Sequence, residues 1–372
     1  MKKPRVLIDV NSAVPFYVAG RSSGIGRTTI ELVKALAELP ELPFEICLYS
    51  QNMKGIGGRN MNVPFATKHL YFPNRERYNR LLSKTPIQEW FTGYDLKHIP
   101  HNFDFTHCPE KTVITMHDAM FFSYPESFLG HDYARRNYPK LARRAKAIIT
   151  CSQNSKNEIA EYMDIPEERI HVCHWGIDRK VFYPHKPQPN KYTSGRPFFF
   201  SVSCDIGRKN TISILKAYEI FLKNTPEHDL VLVWRNPPAE ILDKYTQGIF
   251  RGRVHFVSGV SENELSDLYA EATATFFPSK YEGFGLPVLE SMASGTPIVT
   301  CKNSSLGEIG SDAALYVEPE DVDTMACLME EFENKTLDID SLARNCLAHA
   351  DRFTWSACAS KTVEVYKKCL EL

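Results

Sequence analysis

The chain has 372 residues, 43% hydrophobic and 24% charged, an ordinary soluble composition with length enough for two domains. No window approaches the roughly 18 uninterrupted apolar residues that a spanning helix needs, and the ten cysteines form neither a C-x-x-C pair nor a zinc-spaced cluster. The net charge of −1 divides into 25 Lys+Arg against 19 Asp+Glu over 1–185 and 19 against 26 thereafter, an excess too small for a nucleic-acid binder but enough to suggest different partners for the two halves.

The N-terminal MKKPRVLIDV starts like a signal peptide but meets Asp9 and Asn11 too early for an apolar core, so 5–10 reads as a first strand. Further strand patterns follow at 44–49, 112–115, 147–151 and 170–173. A second series runs through 198–202, 230–234, 254–257, 274–277 and 298–301. Helical patterns such as 28–39, 211–222 and 262–270 lie between them. This alternation predicts α/β architecture, with parallel sheets covered on both faces. The stretch YPHKPQPNKYTSGRP, 183–197, holds four prolines and no hydrophobic period, and reads as an interdomain linker. The expected division is therefore a first domain 1–182, a linker 183–196, a second domain 197–355 and a last amphipathic helix 356–372. Cys47, Cys151 and Cys301 sit inside apolar runs and read as buried reduced thiols of a cytosolic protein.

Several motifs punctuate this frame. In RSSGIGRTTIEL, 21–32, Gly24 and Gly26 can bring backbone amides close to a phosphate or sugar at a helix start, or can simply turn a strand into a helix. A dinucleotide fingerprint fails at Thr29, against a nicotinamide enzyme. The aromatic and basic segment FPNRERYNRLLSKTPIQEWFTGY, 72–94, reads as an irregular helical excursion, with an acceptor- or membrane-facing surface as the sharper alternative. TMHD, 115–118, puts His117 at the carboxyl end of a strand, with Asp118 shaping the loop or orienting it. Arg135, Arg136, Lys140 and LARRAK make a basic helix, either a solvated face or a surface for an anionic lipid or polyprenyl diphosphate. In ITCSQNSKNEI, 149–159, Ser152 precedes a helix, and Asn154 or Ser155 can equally cap it. Arg208 and Lys209 of RKN follow the first strand of the second series, where two cations can neutralise a diphosphate or form a solvated pair. Asp338-Ile-Asp340 spells a metal-binding string but lies away from any sheet mouth, and is read as structural.

The densest stretch is YEGFGLPVLESMASGTPIV, 281–299. Glu282 and Glu290 flank a Gly-Phe-Gly turn whose glycines allow positive φ and close backbone approach. Pro287 suits a helix start and Gly295 a left-handed helix stop. Amides at such a start favour phosphate, and carboxylates favour hydroxyls; a nucleotide sugar offers both. The plain alternative is a loop followed by a core helix, with Glu290 favoured by the helix dipole.

On this string the chain closely resembles the retaining glycosyltransferase family 4, whose hallmark is two glutamates separated by seven residues, here 283–289. The resemblance implies a GT-B fold, two doubly wound Rossmann-like domains facing across a cleft, with the terminal helix crossing back to the first. It implies that His117 contacts the transferred sugar and that Gly24 and Gly26 lie over the donor and acceptor sites. Arg208 and Lys209 would hold the diphosphate and stabilise its departure. The backbone of Val257, Ser258 and Val260 would hold the base. Glu282 would hold sugar hydroxyls near the reacting carbon, and Glu290 the ribose. The amides of Gly283, Phe284, Gly285 and Leu286 would line sugar and diphosphate. Relatives carry glycine two residues into the loop before RKN, where this chain has Ser203, which weakens the donor contacts implied there.

The expectation is a metal-independent transferase without cofactor, moving a hexose from a nucleotide-diphosphate sugar to a saccharide or lipid-linked acceptor. The resemblance to bacterial mannosyltransferases of surface-polysaccharide assembly favours GDP-mannose; UDP-hexose, UDP-N-acetylhexosamine and dTDP-rhamnose stay open. The expected place is the cytoplasm, with peripheral contact at the inner membrane face and no nucleic-acid partner. The rival readings are an epimerase or pyridoxal-dependent phosphorylase on the same fold, and a non-catalytic nucleotide-sugar binder.

Overall fold

The structure, a computed structural model, describes residues 3–20, 24–82, 84–103, 105–127, 129–188, 190–224 and 226–372. It divides into one compact unit of 1–176 with 354–372 and a second of 177–353.

The first unit is built on seven parallel strands: β1 (Arg5–Asp9), β2 (Glu45–Gln51), β3 (Ala66–Leu70), β4 (Leu96–Ile99), β5 (Thr112–Thr115), β6 (Ala147–Thr150) and β7 (Ile170–Val172). Their order is β3-β2-β1-β4-β5-β6-β7, so it reverses between β1 and β4. Val6, Leu7, Ile8, Ile46, Leu48, Val113 and Ile148 are buried along these strands, as expected of a sheet covered on both faces. The helix Gly24–Glu38 follows β1 and buries Ile30, Val33 and Leu36 against the sheet. The C-terminal helix Trp355–Leu370 belongs to the same core, through Cys358, Val363 and Tyr366. Its Thr354 cap lies so close to the backbone of Gly176 that a Cβ there would stand 2.1 Å from the Trp355 nitrogen.

The second unit has six parallel strands: β8 (Phe198–Ser201), β9 (Asp229–Val233), β10 (Val254–Val257), β11 (Ala274–Phe277), β12 (Ile298–Thr300) and β13 (Leu315–Tyr316). The order β10-β9-β8-β11-β12-β13 reverses between β8 and β11. Phe198, Phe199, Phe200, Phe276 and Phe277 fill its centre.

The proline-rich segment behaves differently from a free linker. His185 bonds Asp267 at 2.8 Å, the Tyr192 hydroxyl donates to Glu264 at 2.7 Å, and Ser266 donates to the Val181 carbonyl. These bonds hold Val181, His185 and Tyr192 against the helix Glu262–Glu271, and the division between the units falls at 176/177. Three strands lie outside the expected series. β3 is an edge strand with Lys68 and His69, β13 has two residues, and β4 buries Lys97 and His98 in mid-sheet. His98 is accommodated by bonds to the Tyr366 hydroxyl at 2.5 Å and to Thr115 Oγ1 at 2.8 Å.

Candidate functional site

Ligands of open parallel sheets collect outside the carboxyl ends of the strands, where the strand order reverses. In the second unit that point lies between the loops after β8 and β11, and both loops are charged. The β8 loop turns at Ser203, whose φ of 56° is left-handed. This is the position where the family resemblance implies glycine, so the departure leaves the turn intact at a strain cost of order 1 kcal/mol. Asp205 then organises the loop. Its Oδ1 accepts from the Lys209 N–H at 3.0 Å and its carbonyl from Thr211 N–H at 3.1 Å. Asn210 is buried and donates to the carbonyls of Pro278 (3.2 Å) and Pro319, tying this loop to the one after β11.

The two loops meet on one atom. Glu282 Oε1 lies 2.7 Å from Lys209 Nζ, 2.8 Å from Arg208 Nη1 and 2.7 Å from Ser279 Oγ. Arg208 also donates to the Tyr281 carbonyl at 2.8 Å, and Lys209 stands 4.7 Å over the Phe277 ring. Burial pushes the Glu282 carboxyl up, but Lys209 and Arg208 outweigh it and hold the group below the usual carboxylate range. Burial holds the Lys209 ammonium below its ordinary value, with Glu282 opposing. Ser304 and Ser305, after β12, brace the Glu282 backbone: Ser304 Oγ accepts its N–H at 3.0 Å and Ser305 Oγ donates to its carbonyl at 2.5 Å.

Gly285 precedes the helix Leu286–Ala293 with φ 115°, and a Cβ there would come within 3.0 Å of Leu306 Cδ2. Pro287 falls in the first turn and Gly295, at φ 78°, ends the element. Phe284 and Glu290 are buried, and Glu290 Oε2 accepts from the Tyr269 hydroxyl at 3.0 Å. Val257 ends β10, two strands across from β8, and its carbonyl accepts from Trp234 N–H at 2.8 Å. Val260 follows, half-buried at the end of an exposed turn, just before Ser261, which caps the next helix. Thus Arg208, Lys209 and Glu282 are in contact, Gly283–Leu286 adjoin them in sequence, and Glu290, Val257 and Val260 lie outside that cluster.

In the first unit His117 follows β5 and is buried. Its N–H donates to Asn102 Oδ1 at 3.2 Å, its carbonyl accepts from Cys151, and Trp175 meets its ring edge-on at 5.2 Å. Among the described residues neither ring nitrogen has a hydrogen-bond partner of good geometry. Burial, with His101 adding and the Pro100 carbonyl opposing, lowers its pKa to about 3, so the ring is neutral at physiological pH. Asp118 takes the loop-shaping role, accepting from Met120 N–H at 3.1 Å. Gly24 and Gly26 stand in the first turn of the helix Gly24–Glu38 rather than in an open loop, while Arg21, Ser22 and Ser23 lie outside the described residues. Thr28 and Thr29 of that helix line the same small cavity as His117.

Asp338 caps the helix Ile339–Ala350 by accepting from Ser341 N–H at 2.9 Å, and Ser152, expected to precede a helix, itself caps Gln153–Met163, with Asn154 and Ser155 inside the helix. Reading the sequence missed Ser279, Asp205, Tyr269 and Ser304. The signal for Ser279 was faint: a hydroxyl residue three positions before Glu282, two positions after a strand.

Residues 184–348 match the family model of Glycosyl transferases group 1, and 22–181 that of Glycosyltransferase Family 4. The chain is 29% identical to O-antigen chain mannosyltransferase B of Escherichia coli, over 93% of this chain and 96% of that one. It is 31% identical to O-antigen chain mannosyltransferase RfbU of Salmonella typhimurium, over 56% of this chain and 57% of that one. Among solved structures, sucrose-phosphate synthase from Thermosynechococcus elongatus superposes with TM-score 0.75 at 17% identity, covering 99% of both chains, a likeness of fold alone.

Proposed function

From the premise that this chain belongs to the group 1 glycosyl transferases of family 4, with the GT-B fold, we propose a retaining, metal-independent mannosyltransferase using GDP-mannose. That it is a hexosyltransferase follows from its family and relatives. The donor, the stereochemistry and a saccharide or lipid-linked saccharide acceptor are the proposal. The observation that carries it is the convergence of Arg208 and Lys209 on Glu282 at the reversal of strand order.

The chemistry follows from that cluster. Two cations held 2.8 and 2.7 Å from one carboxylate oxygen are oriented before any ligand arrives. A donor diphosphate competes with Glu282 for them, and Glu282 is then able to accept from sugar hydroxyls. The bond from the anomeric carbon to the phosphate oxygen breaks as the acceptor oxygen bonds that carbon on the same face. The acceptor proton passes to the leaving phosphate. Negative charge grows on the nucleoside diphosphate, and Arg208 and Lys209 answer it in a site already desolvated. The amides of Gly283–Leu286 line the sugar and diphosphate, and Val257 and Val260 hold the base through their backbone. Glu290, freed from Tyr269 or sharing with it, accepts from the ribose. His117, neutral and without a good partner, is suited to donate to or accept from the transferred sugar. Gly24 and Gly26, at a helix start, present amides to donor or acceptor.

The test is transfer from a panel of GDP-, UDP- and dTDP-sugars to a bacterial lipid-linked saccharide extract, in chelator, with the anomeric configuration read by NMR. Mannose moved from GDP-mannose with retention supports the reading; transfer only from another donor, or with inversion, overturns it.

A further inference from the structure

A buried polar atom without a partner costs stability, so several of them in one place call for a ligand. Among the described residues six buried side-chain nitrogen and oxygen atoms have no hydrogen-bond partner. Five of the six lie at or past the carboxyl ends of three neighbouring strands of the first unit. They are His101 Nδ1 and Thr106 Oγ1 after β4, both ring nitrogens of His117 after β5, and Thr150 Oγ1 at the end of β6. The sixth, Glu89 Oε2, belongs to a carboxylate whose other oxygen accepts from Tyr94. The strand order of this sheet reverses between β1 and β4, which is where ligands of open parallel sheets collect. The loop after β4 shapes the spot. Asn102 Oδ1 accepts the His117 N–H at 3.2 Å and holds the loop against His117. The His101 ring meets Phe103 edge-on at 5.4 Å, and Phe105 stands 4.6 Å from Phe103 at a tilt of 40°. Both phenylalanines are half-buried, and with Thr106 they line a small cavity. Its lining holds one acid, Asp9 at the end of β1, and one base, Lys97, so it carries no net charge. Burial lowers the His101 pKa, Asp9 opposing and Lys97 adding, so this ring, like that of His117, is neutral at physiological pH.

We propose that this place seats the terminal sugar of the acceptor, and that the sugar is a neutral pyranose, held by His101 and Thr106 through its hydroxyls and by Phe103 and Phe105 through its C–H face. A neutral imidazole offers one donor and one acceptor, and a threonine hydroxyl offers both, which matches sugar hydroxyls that also do both. Aromatic walls with a few placed polar groups are the usual make-up of a small-molecule site. All five unpartnered atoms belong to neutral groups, whereas a phosphate or carboxylate on the sugar would call for cations. His101 is therefore the residue that sets which acceptor sugar is taken. The word acceptor rests on the transferase reading; the binding of a neutral sugar does not.

The experiment uses the full chain, with methyl mannoside, methyl glucoside and methyl N-acetylglucosaminide as neutral probes and mannose 6-phosphate and glucuronic acid as anionic ones. Binding is read by saturation-transfer NMR, and acceptor KM by transfer into the lipid-linked saccharide extract. At least one neutral glycoside should bind and compete with the extract, and neither anionic probe should. His101→Phe keeps an aromatic ring against Phe103 but removes the hydrogen-bonding nitrogens. It should weaken that glycoside and raise acceptor KM by about tenfold, with donor KM and nucleotide binding as in wild type. Its Tm should hold or rise, because a buried unpaired nitrogen is gone; a histidine kept only for structure would give a lower Tm and unchanged sugar affinity. His101→Asn, which returns a donor and an acceptor, should recover most of the affinity. No binding by any neutral glycoside, tighter binding of an anionic probe, or unchanged glycoside affinity in His101→Phe would each overturn the proposal. Glycoside binding that depends on His101, without transfer from any nucleotide sugar, would support the sugar site and sink the transferase reading.

Discussion

Replacing Lys209 with alanine separates the electrostatic role of the cluster from its structural one. The Lys209 side chain is only 11% exposed, and its ammonium lies 2.7 Å from Glu282 and 4.7 Å from the Phe277 ring centre. Stripping one partner from a buried pair costs about 3–5 kcal/mol when the other charge is left alone. Glu282 is not left alone here, because Arg208 at 2.8 Å and Ser279 at 2.7 Å still hold the same oxygen. The expected stability loss is therefore nearer 1–3 kcal/mol, a fall in Tm of about 3–10 °C for a unit of this size. Turnover should fall much further, by roughly 10²–10³, because in the proposed reaction the missing charge faces the departing diphosphate where it is most needed. The assay is kcat with saturating donor, well below the variant's Tm, beside a melting curve. A folded variant turning over within about threefold of wild type would refute the diphosphate role, since a charge-stabilising group of this kind contributes far more.

Three further outcomes follow from other parts of the molecule. His98 and His117 are both lowered to about 3 by burial, against 6.5 in the unfolded chain. The unfolded state therefore takes up more protons between those values, and stability present above pH 6.5 is lost as pH falls toward 3. Two such groups give a slope of up to about 2.7 kcal/mol per pH unit in urea melts, and a flat profile there would contradict their buried, neutral state. Gly285→Ala should cost about 1–3 kcal/mol and impair transfer, because it combines a left-handed φ with a Cβ pressed on Leu306; an unchanged Tm would show that the turn adapts freely. Asp338→Ala should lose about 1 kcal/mol of helix capping and leave transfer untouched. Abolished transfer in that variant would turn Asp338 from a cap into a site residue.

Much of the fold was legible because the strands obey a simple rule. Runs such as VLI in β1 and FFFS in β8 are apolar on both faces, as strands of a covered parallel sheet must be. β4 escaped that rule. Its Lys97 and His98 look like surface residues until tertiary partners such as Tyr366, some 268 positions away, come into view. The linker misled for a related reason: prolines signal irregular backbone, but Asp267 and Glu264 on a later helix pin that backbone down. At the site, Glu282, Arg208 and Lys209 could be named from the string around each. Their convergence on one oxygen could not, since it depends on β8 and β11 being neighbours. Ser279 and Tyr269 are ordinary residues in sequence and become partners of the two glutamates only by position.

The central claim, a nucleotide-diphosphate site on the second unit, is tested most directly by binding calorimetry with GDP, UDP, dTDP and ADP, without metal, on wild type and Glu290→Ala. The account predicts that GDP binds and that the variant weakens it about tenfold or more, the loss of a charged hydrogen bond to ribose. Binding by none of the four, or equal binding by the folded variant, would contradict it.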